Sequence, residues 1–263
     1  MTTTAVTADD LRRRVADRRE EVRAFLEWSR AHERDALETG EGWRSLRLEN
    51  RPDIKHAAEA AQLFPEAWWG VVVYTCFGSL VGARVVNDAF RQPLPEPAAW
   101  DALRSLSFPR GSIGHHRIQP GHVGAKKALA AASEHADFFR DVLFSDGTFE
   151  ERYRRIRKPQ LPQWGRTTTF DLLLRAGALG VGGERYAPTT AYLAGSTGPK
   201  KGFEKIWGVS LDRVGAEWGE RLLQAWTQNW DEVAGAVGIT WDIGPPYAPG
   251  DFENALCIWQ ESR

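Results

Sequence analysis

The chain has 263 residues, 42% of them hydrophobic and 26% charged, and its formal net charge is −1. This is the composition of a globular protein with a sizeable core, which excludes an intrinsically disordered chain and a polycation. Any contact with nucleic acid must therefore come from a local basic patch rather than from overall charge.

Apolar periodicity predicts an all-α chain. Asp9 and Asp10 are candidate N-caps for a first helix that carries Leu11, Val15, Val22, Phe25 and Leu26 on one stripe and ends at Gly40. The N-terminal segment before it has no apolar run, so no secretory signal is expected and the protein is read as cytoplasmic. Pro52 opens a short helix through Ala57, Ala60 and Ala61. The longest charge-free stretch, Ala67 to Ala83, is shorter than the ~20 residues a membrane span needs and holds Tyr74, Thr75 and Ser79, so it predicts a buried helix from near Pro65 to near Phe90. Pro93, Pro95 and Pro97 make a rigid connection, and residues 92–97 are the one candidate seam in an otherwise single domain.

Ala98 to Leu106 reads as a short helix, and the glycines and prolines of residues 107–124 read as a loop. A helix is expected from Ala125 to Phe144, a turn at Ser145-Asp146-Gly147, and a basic helix from Phe149 to Arg157 stopped by Pro159. Further on, a helix is expected around Thr189–Ala194, a Gly-Pro-Lys-Lys-Gly turn at 198–202, and a long amphipathic helix from Leu211 to about Val233. A last segment, Phe252 to Trp259, docks on the core. The chain has twelve tryptophans, and their helical spacing beside aliphatics assigns many of them to the core. Cys76 and Cys257 are two cysteines far apart, read as buried reduced thiols with neither a disulfide framework nor a metal knuckle.

Residues 161–169 read Leu-Pro-Gln-Trp-Gly-Arg-Thr-Thr-Thr, followed by Phe170-Asp-Leu-Leu-Leu174. Leu161 anchors a turn, Pro162 fixes one backbone angle, and Gly165 permits a tight turn and close approach by a phosphate. Amides of Gly165, Arg166 and Thr167 then head a helix, which suits an anion and positions a strand without reading its sequence. Arg152, Arg154, Arg155, Arg157 and Lys158 give a basic patch upstream, and Lys200, Lys201 and Lys205 a second one downstream. The bland alternative is a proline-glycine turn between two helices beside a solvated basic face.

This segment resembles the hairpin of helix-hairpin-helix DNA glycosylases, and the resemblance implies a helical bundle of that kind with the motif at 153–176. The base-excising members carry a Schiff-base lysine two residues after the last hairpin glycine, where this chain has Thr167. They carry an aspartate further on, where this chain has Tyr186-Ala-Pro-Thr-Thr-Ala191. Glu184 is the nearby acid, at a different spacing, so base excision by the usual route is not expected.

The segment Trp164-Gly-Arg-Thr-Thr-Thr-Phe-Asp171 is also similar to a narrower group. That group comprises the alpha-glutamyl/putrescinyl thymine pyrophosphorylases, the helical domains of 5-hydroxymethyluracil DNA kinases and the amino acid:DNA transferases. Ser79-Leu-Val-Gly-Ala-Arg84-Val-Val-Asn87 and Glu253-Asn-Ala-Leu-Cys257 are similar as well. The likeness spans residues 65–260 in outline, and these three short segments carry it. It implies transfer of an amine or amino acid to an activated 5-hydroxymethyluracil base in DNA. DNA with a modified base is then the partner, a DNA kinase sits on a separate chain, and no membrane is involved. Such chemistry needs a pocket for an extruded base, cations for the leaving phosphate, and a base to deprotonate the amine.

Under that implication Trp164, Gly165, Arg166, Thr167 and Thr168 bind DNA phosphate. Lys200 and Lys201 hold the leaving group, Arg84, Asn87 and Cys257 line the substrate, and Asp171 or Glu253 is the general base. Asp171 satisfying a helix end and Arg84 pairing on the surface are the bland alternatives.

No cofactor is evident beyond a monovalent or divalent cation that the hairpin has room for. His115, His116 and His122 share a glycine-rich loop, but no cysteine or carboxylate lies at ligand spacing, so a pocket lining is preferred to a metal site. Gly177-Ala-Leu-Gly180-Val-Gly182-Gly183 fits neither a dinucleotide fingerprint nor a Walker A loop. Three rival functions stay open: a non-catalytic module that presents modified DNA, a glycosylase using Glu184, and an enzyme of a free nucleotide or other small molecule.

Overall fold

A computed structural model describes residues 6–39, 45–95, 97–114 and 122–262. The all-helical expectation is met: the described residues hold fifteen α-helices, one short 3₁₀ turn at Leu48–Asn50, and no strand. No helix among them is long and apolar enough to cross a membrane.

The first predicted helix is two, α1 (Ala8–Asp17) and α2 (Arg19–Thr39). The N-cap is Thr7 rather than an aspartate: its hydroxyl accepts the Asp10 amide at 3.1 Å while Asp10 Oδ2 accepts the Thr7 amide at 3.0 Å, a capping box worth about 1 kcal/mol. Arg18 breaks the helix at φ −123°, and its guanidinium donates to the Ile206 carbonyl at 3.0 Å. α3 (Pro52–Leu63) starts at its proline as expected. The apolar run is also two helices, α4 (Ala67–Phe77) and α5 (Leu80–Ala89). Gly78 ends the first at φ 64°, and the Ser79 hydroxyl caps the second through the Val81 amide at 3.2 Å. α6 (Ala98–Ser105) follows.

The predicted 125–144 helix divides into α7 (His122–Glu134) and α8 (Ala136–Phe144). α9 (Phe149–Arg157) has the expected bounds, because Thr148 and Glu151 close a capping box at its start. α10 spans Arg166–Leu179.

The turn expected at 198–202 is instead the first turn of α11 (Gly198–Trp207). Its two glycines are there for packing: a Cβ on Gly198 would stand 2.5 Å from Cys257 Sγ, and one on Gly202 2.1 Å from the Leu256 carbonyl oxygen. Pro199 is harmless in a first turn, whose amides need no intrahelical partner. The long amphipathic segment breaks into α12 (Leu211–Val214), α13 (Ala216–Gln228) and α14 (Trp230–Ala236) at Gly215, φ 86°, and at Asn229. α15 (Asp251–Trp259) ends the order. No helix forms around 189–194. There the Glu220 carboxylate accepts the Ala191 and Leu193 amides at 2.7 and 2.6 Å, and Tyr192 between them sits at φ 51°. Those amides cannot also serve a helical ladder.

The chain divides into two compact units: residues 1–51 with 188–263, and residues 52–187. Residues 92–97, the expected seam, lie inside the second. The first unit is built on aromatic packing. Phe25, Trp207, Trp226, Trp230, Tyr247 and Phe252 are each no more than 2% exposed, and Trp207 meets Trp226 edge-on at 5.3 Å. Seven tryptophans are buried across the described residues, as the spacing predicted for many of them. Within this core Glu33 accepts Ser45 Oγ at 2.8 Å, the Leu46 amide at 2.9 Å and Tyr247 Oη at 3.0 Å. Burial, then the Glu33 charge, holds the Tyr247 phenol well above its ordinary value.

In the second unit α4 lies close against α3, because a Cβ on Gly70 would be 2.5 Å from the Ala60 carbonyl oxygen. A buried ion network ties α3, α4 and α10 together. Arg175 donates to Asp53 Oδ2 from Nε at 3.0 Å and from Nη2 at 2.7 Å, and to Thr75 Oγ1 at 3.1 Å. Asp171 Oδ2 lies 3.5 Å from the same Nη2, and the guanidinium stands 5.1 Å from the Tyr74 ring centre.

Candidate nucleic-acid interface

The turn between α9 and α10 is held from both sides. Trp164 is 1% exposed, donates Nε1–H to the Ala128 carbonyl at 2.9 Å and packs on Phe139 at 4.5 Å. Its own carbonyl accepts Arg157 Nη1 at 2.8 Å and Thr169 Oγ1 at 3.5 Å. The Trp164 amide closes on the Leu161 carbonyl at 3.1 Å. With that anchor buried, the chain reverses through two residues in the left-handed region, Gln160 at φ 51° and Gln163 at φ 65°. Gln160, Pro162, Gln163, Gly165 and Thr167 face solvent.

Gly165 is the N-cap of α10, with φ −73° and ψ −172°, and its carbonyl accepts the Thr169 amide at 3.1 Å. Any residue can adopt that backbone. A Cβ placed there would meet nothing within 4 Å, unlike those on Gly70, Gly198 or Gly202. Neither a left-handed backbone nor packing within the chain requires a glycine here, although an N-cap favours glycine over alanine. Glycine also gives the N-cap no side-chain oxygen for the amides of the first turn.

The basic residues around the turn divide by role. Arg154, Arg155 and Lys158 are exposed in and after the last turn of α9, where the helix dipole favours cations. Arg157 and Arg166 are half-buried at the turn. Arg152 does not belong to this patch: it is 5% exposed, its guanidinium donates to the Ser145 and Gly147 carbonyls, and it lies 4.0 Å above the Tyr186 ring. Under that cover, burial pushes the Tyr186 phenol up to about 12. Tyr153, half-buried on α9, is raised by burial against the opposing charges of Arg166 and Arg157. As for a cation at the turn, the Trp164 carbonyl already accepts a guanidinium and a hydroxyl, so that oxygen does not suit a metal ion.

The other predicted site residues fall into two groups. In the second unit, Arg84 is exposed and Asn87 half-buried on α5, and Asn87 Oδ1 is buried with no partner among the described residues. Asp171 is 6% exposed and faces the Arg175 network, and Glu184 is exposed beyond Gly182 and Gly183. In the first unit, Lys200 and Lys201 lie on α11, and Glu253 and Cys257 are half-buried on α15 packed against it. Lys200 pairs with Asp212 at 2.6 Å, and Lys205, exposed like Lys201, donates to the Trp259 carbonyl at 3.1 Å and the Ser262 carbonyl at 2.6 Å. Of the two cysteines expected to be buried, Cys76 is buried and Cys257 half-buried.

His115 and His116 lie outside the described residues. His122 stacks on Phe108 at 5.1 Å, and no group of three or more His, Cys, Asp or Glu among the described residues is placed to hold a metal. Sequence reasoning missed Arg175 and Asp53, although an Asp171–Arg175 pair at helical spacing inside an apolar run signals a buried ion pair. Compared with models of known families, with curated proteins and with solved structures, the chain has no significant match.

Proposed function

We propose that this protein binds DNA through backbone-phosphate contacts at the turn of residues 158–167, used as a helix-hairpin-helix, and that it serves the hypermodification of thymine bases. The observation that carries the binding is Gly165: a solvent-facing glycine at a helix N-cap, with open space where a side chain would stand, suits a site where an outside group comes close to the backbone. Arg154, Arg155, Lys158 and Arg166 add positive charge beside it. The contact carries no base specificity of its own.

The modification chemistry rests on the resemblance. An amine attacks the 5-methylene carbon of an activated 5-hydroxymethyluracil, the C–N bond forms, the C–O bond to the phosphate or pyrophosphate breaks, and Glu253 takes the proton. Asp171 is the other base candidate, its carboxylate committed to the Arg175 network. That commitment favours a second reading, in which the chain is a non-catalytic module presenting modified DNA to a partner.

Incubation with an amine and a duplex carrying phosphorylated 5-hydroxymethyluracil, followed by digestion to nucleosides and mass analysis, separates the readings. A base heavier by the amine, lost in Glu253→Gln, supports transfer. Binding with an unchanged base supports the module. Release of free base, abolished in Glu184→Gln, supports a glycosylase. Absence of both binding and product refutes the proposal and favours an enzyme of small molecules.

A further inference from the structure

We draw no further inference here: the strongest candidate, the apolar groove between α1 and α14 floored by Leu11, Val15 and Val233 and bridged at its rim by the Arg12–Glu232 ion pair, has a floor no more than 3% exposed, and nothing in the structure shows what covers it.

Discussion

Replacing Arg175 with methionine tests the packing of the second unit. The side chains of Arg175, Asp53 and Asp171 are 4%, 17% and 9% exposed, so removing the guanidinium leaves two carboxylates beside each other with little solvent to screen them. Breaking a buried pair in this way costs about 3–5 kcal/mol, because the stranded charge and not the lost contact sets the penalty. For a chain of this size that is a fall in Tm of roughly 10 °C. Asp171→Asn removes the charge at the 3.5 Å contact and leaves both bonds to Asp53, so it costs less, about 1 kcal/mol. The double variant should be more stable than the sum of the two single losses predicts, since one of the stranded charges is gone. Urea unfolding followed by circular dichroism gives the free energies, and hydrogen exchange in α3 and α10 assigns the loss to this unit. A loss below about 1 kcal/mol in Arg175→Met would refute the reasoning.

Three further outcomes are expected. Gly202→Ala forces a methyl group against the Leu256 carbonyl, 2.1 Å away, and destabilises by about 1–3 kcal/mol, whereas Gly165→Ala, which meets no atom and changes only an N-cap preference, costs at most about 1 kcal/mol. Tyr247→Phe leaves Glu33 without one of its donors and costs about 1–3 kcal/mol in chemical denaturation. Tyr186, raised to about 12, stays protonated in the fold while the unfolded chain ionises near 10. Folded protein then holds the extra proton, so this tyrosine's contribution is full below pH 10 and is lost as pH rises from about 10 to about 12. An alkaline absorbance titration should lose a tyrosinate step near pH 12 in Tyr186→Phe.

What the sequence discloses depends on whether a feature is local. α9 is legible because Thr148, Glu151 and Pro159 mark its ends within one turn of chain. The breaks at Arg18, Gly78 and His135 are not, because a one-residue kink leaves the apolar period nearly intact on both sides. Gly198 and Gly202 carry the composition of a turn, yet they serve a close crossing with α15, which becomes visible only once the partner helix is placed. The first unit joins residues 1–51 to residues 188–263, far apart in sequence, so no linker composition marks its boundary. At the candidate interface, the turn is legible from Leu161 to Gly165 and its exposed cations at Arg154, Arg155 and Lys158 just before it. The withdrawal of Arg152 into the Tyr186 contact and of Asp171 into the Arg175 network is tertiary and leaves no local mark.

The most direct test of the central claim is the affinity of wild type and Gly165→Ala for short duplexes containing thymine, 5-hydroxymethyluracil or its phosphorylated form, measured across a salt series. Four cations near the turn predict a slope of log affinity on log salt of roughly −3 to −4, falling by about one for each of Arg154, Arg155 and Lys158 neutralised. Gly165→Ala should bind about tenfold more weakly on every duplex while losing at most about 1 kcal/mol of stability, and the phosphorylated base should be preferred. Undetectable binding at low salt, or equal affinity for wild type and Gly165→Ala, would contradict the account.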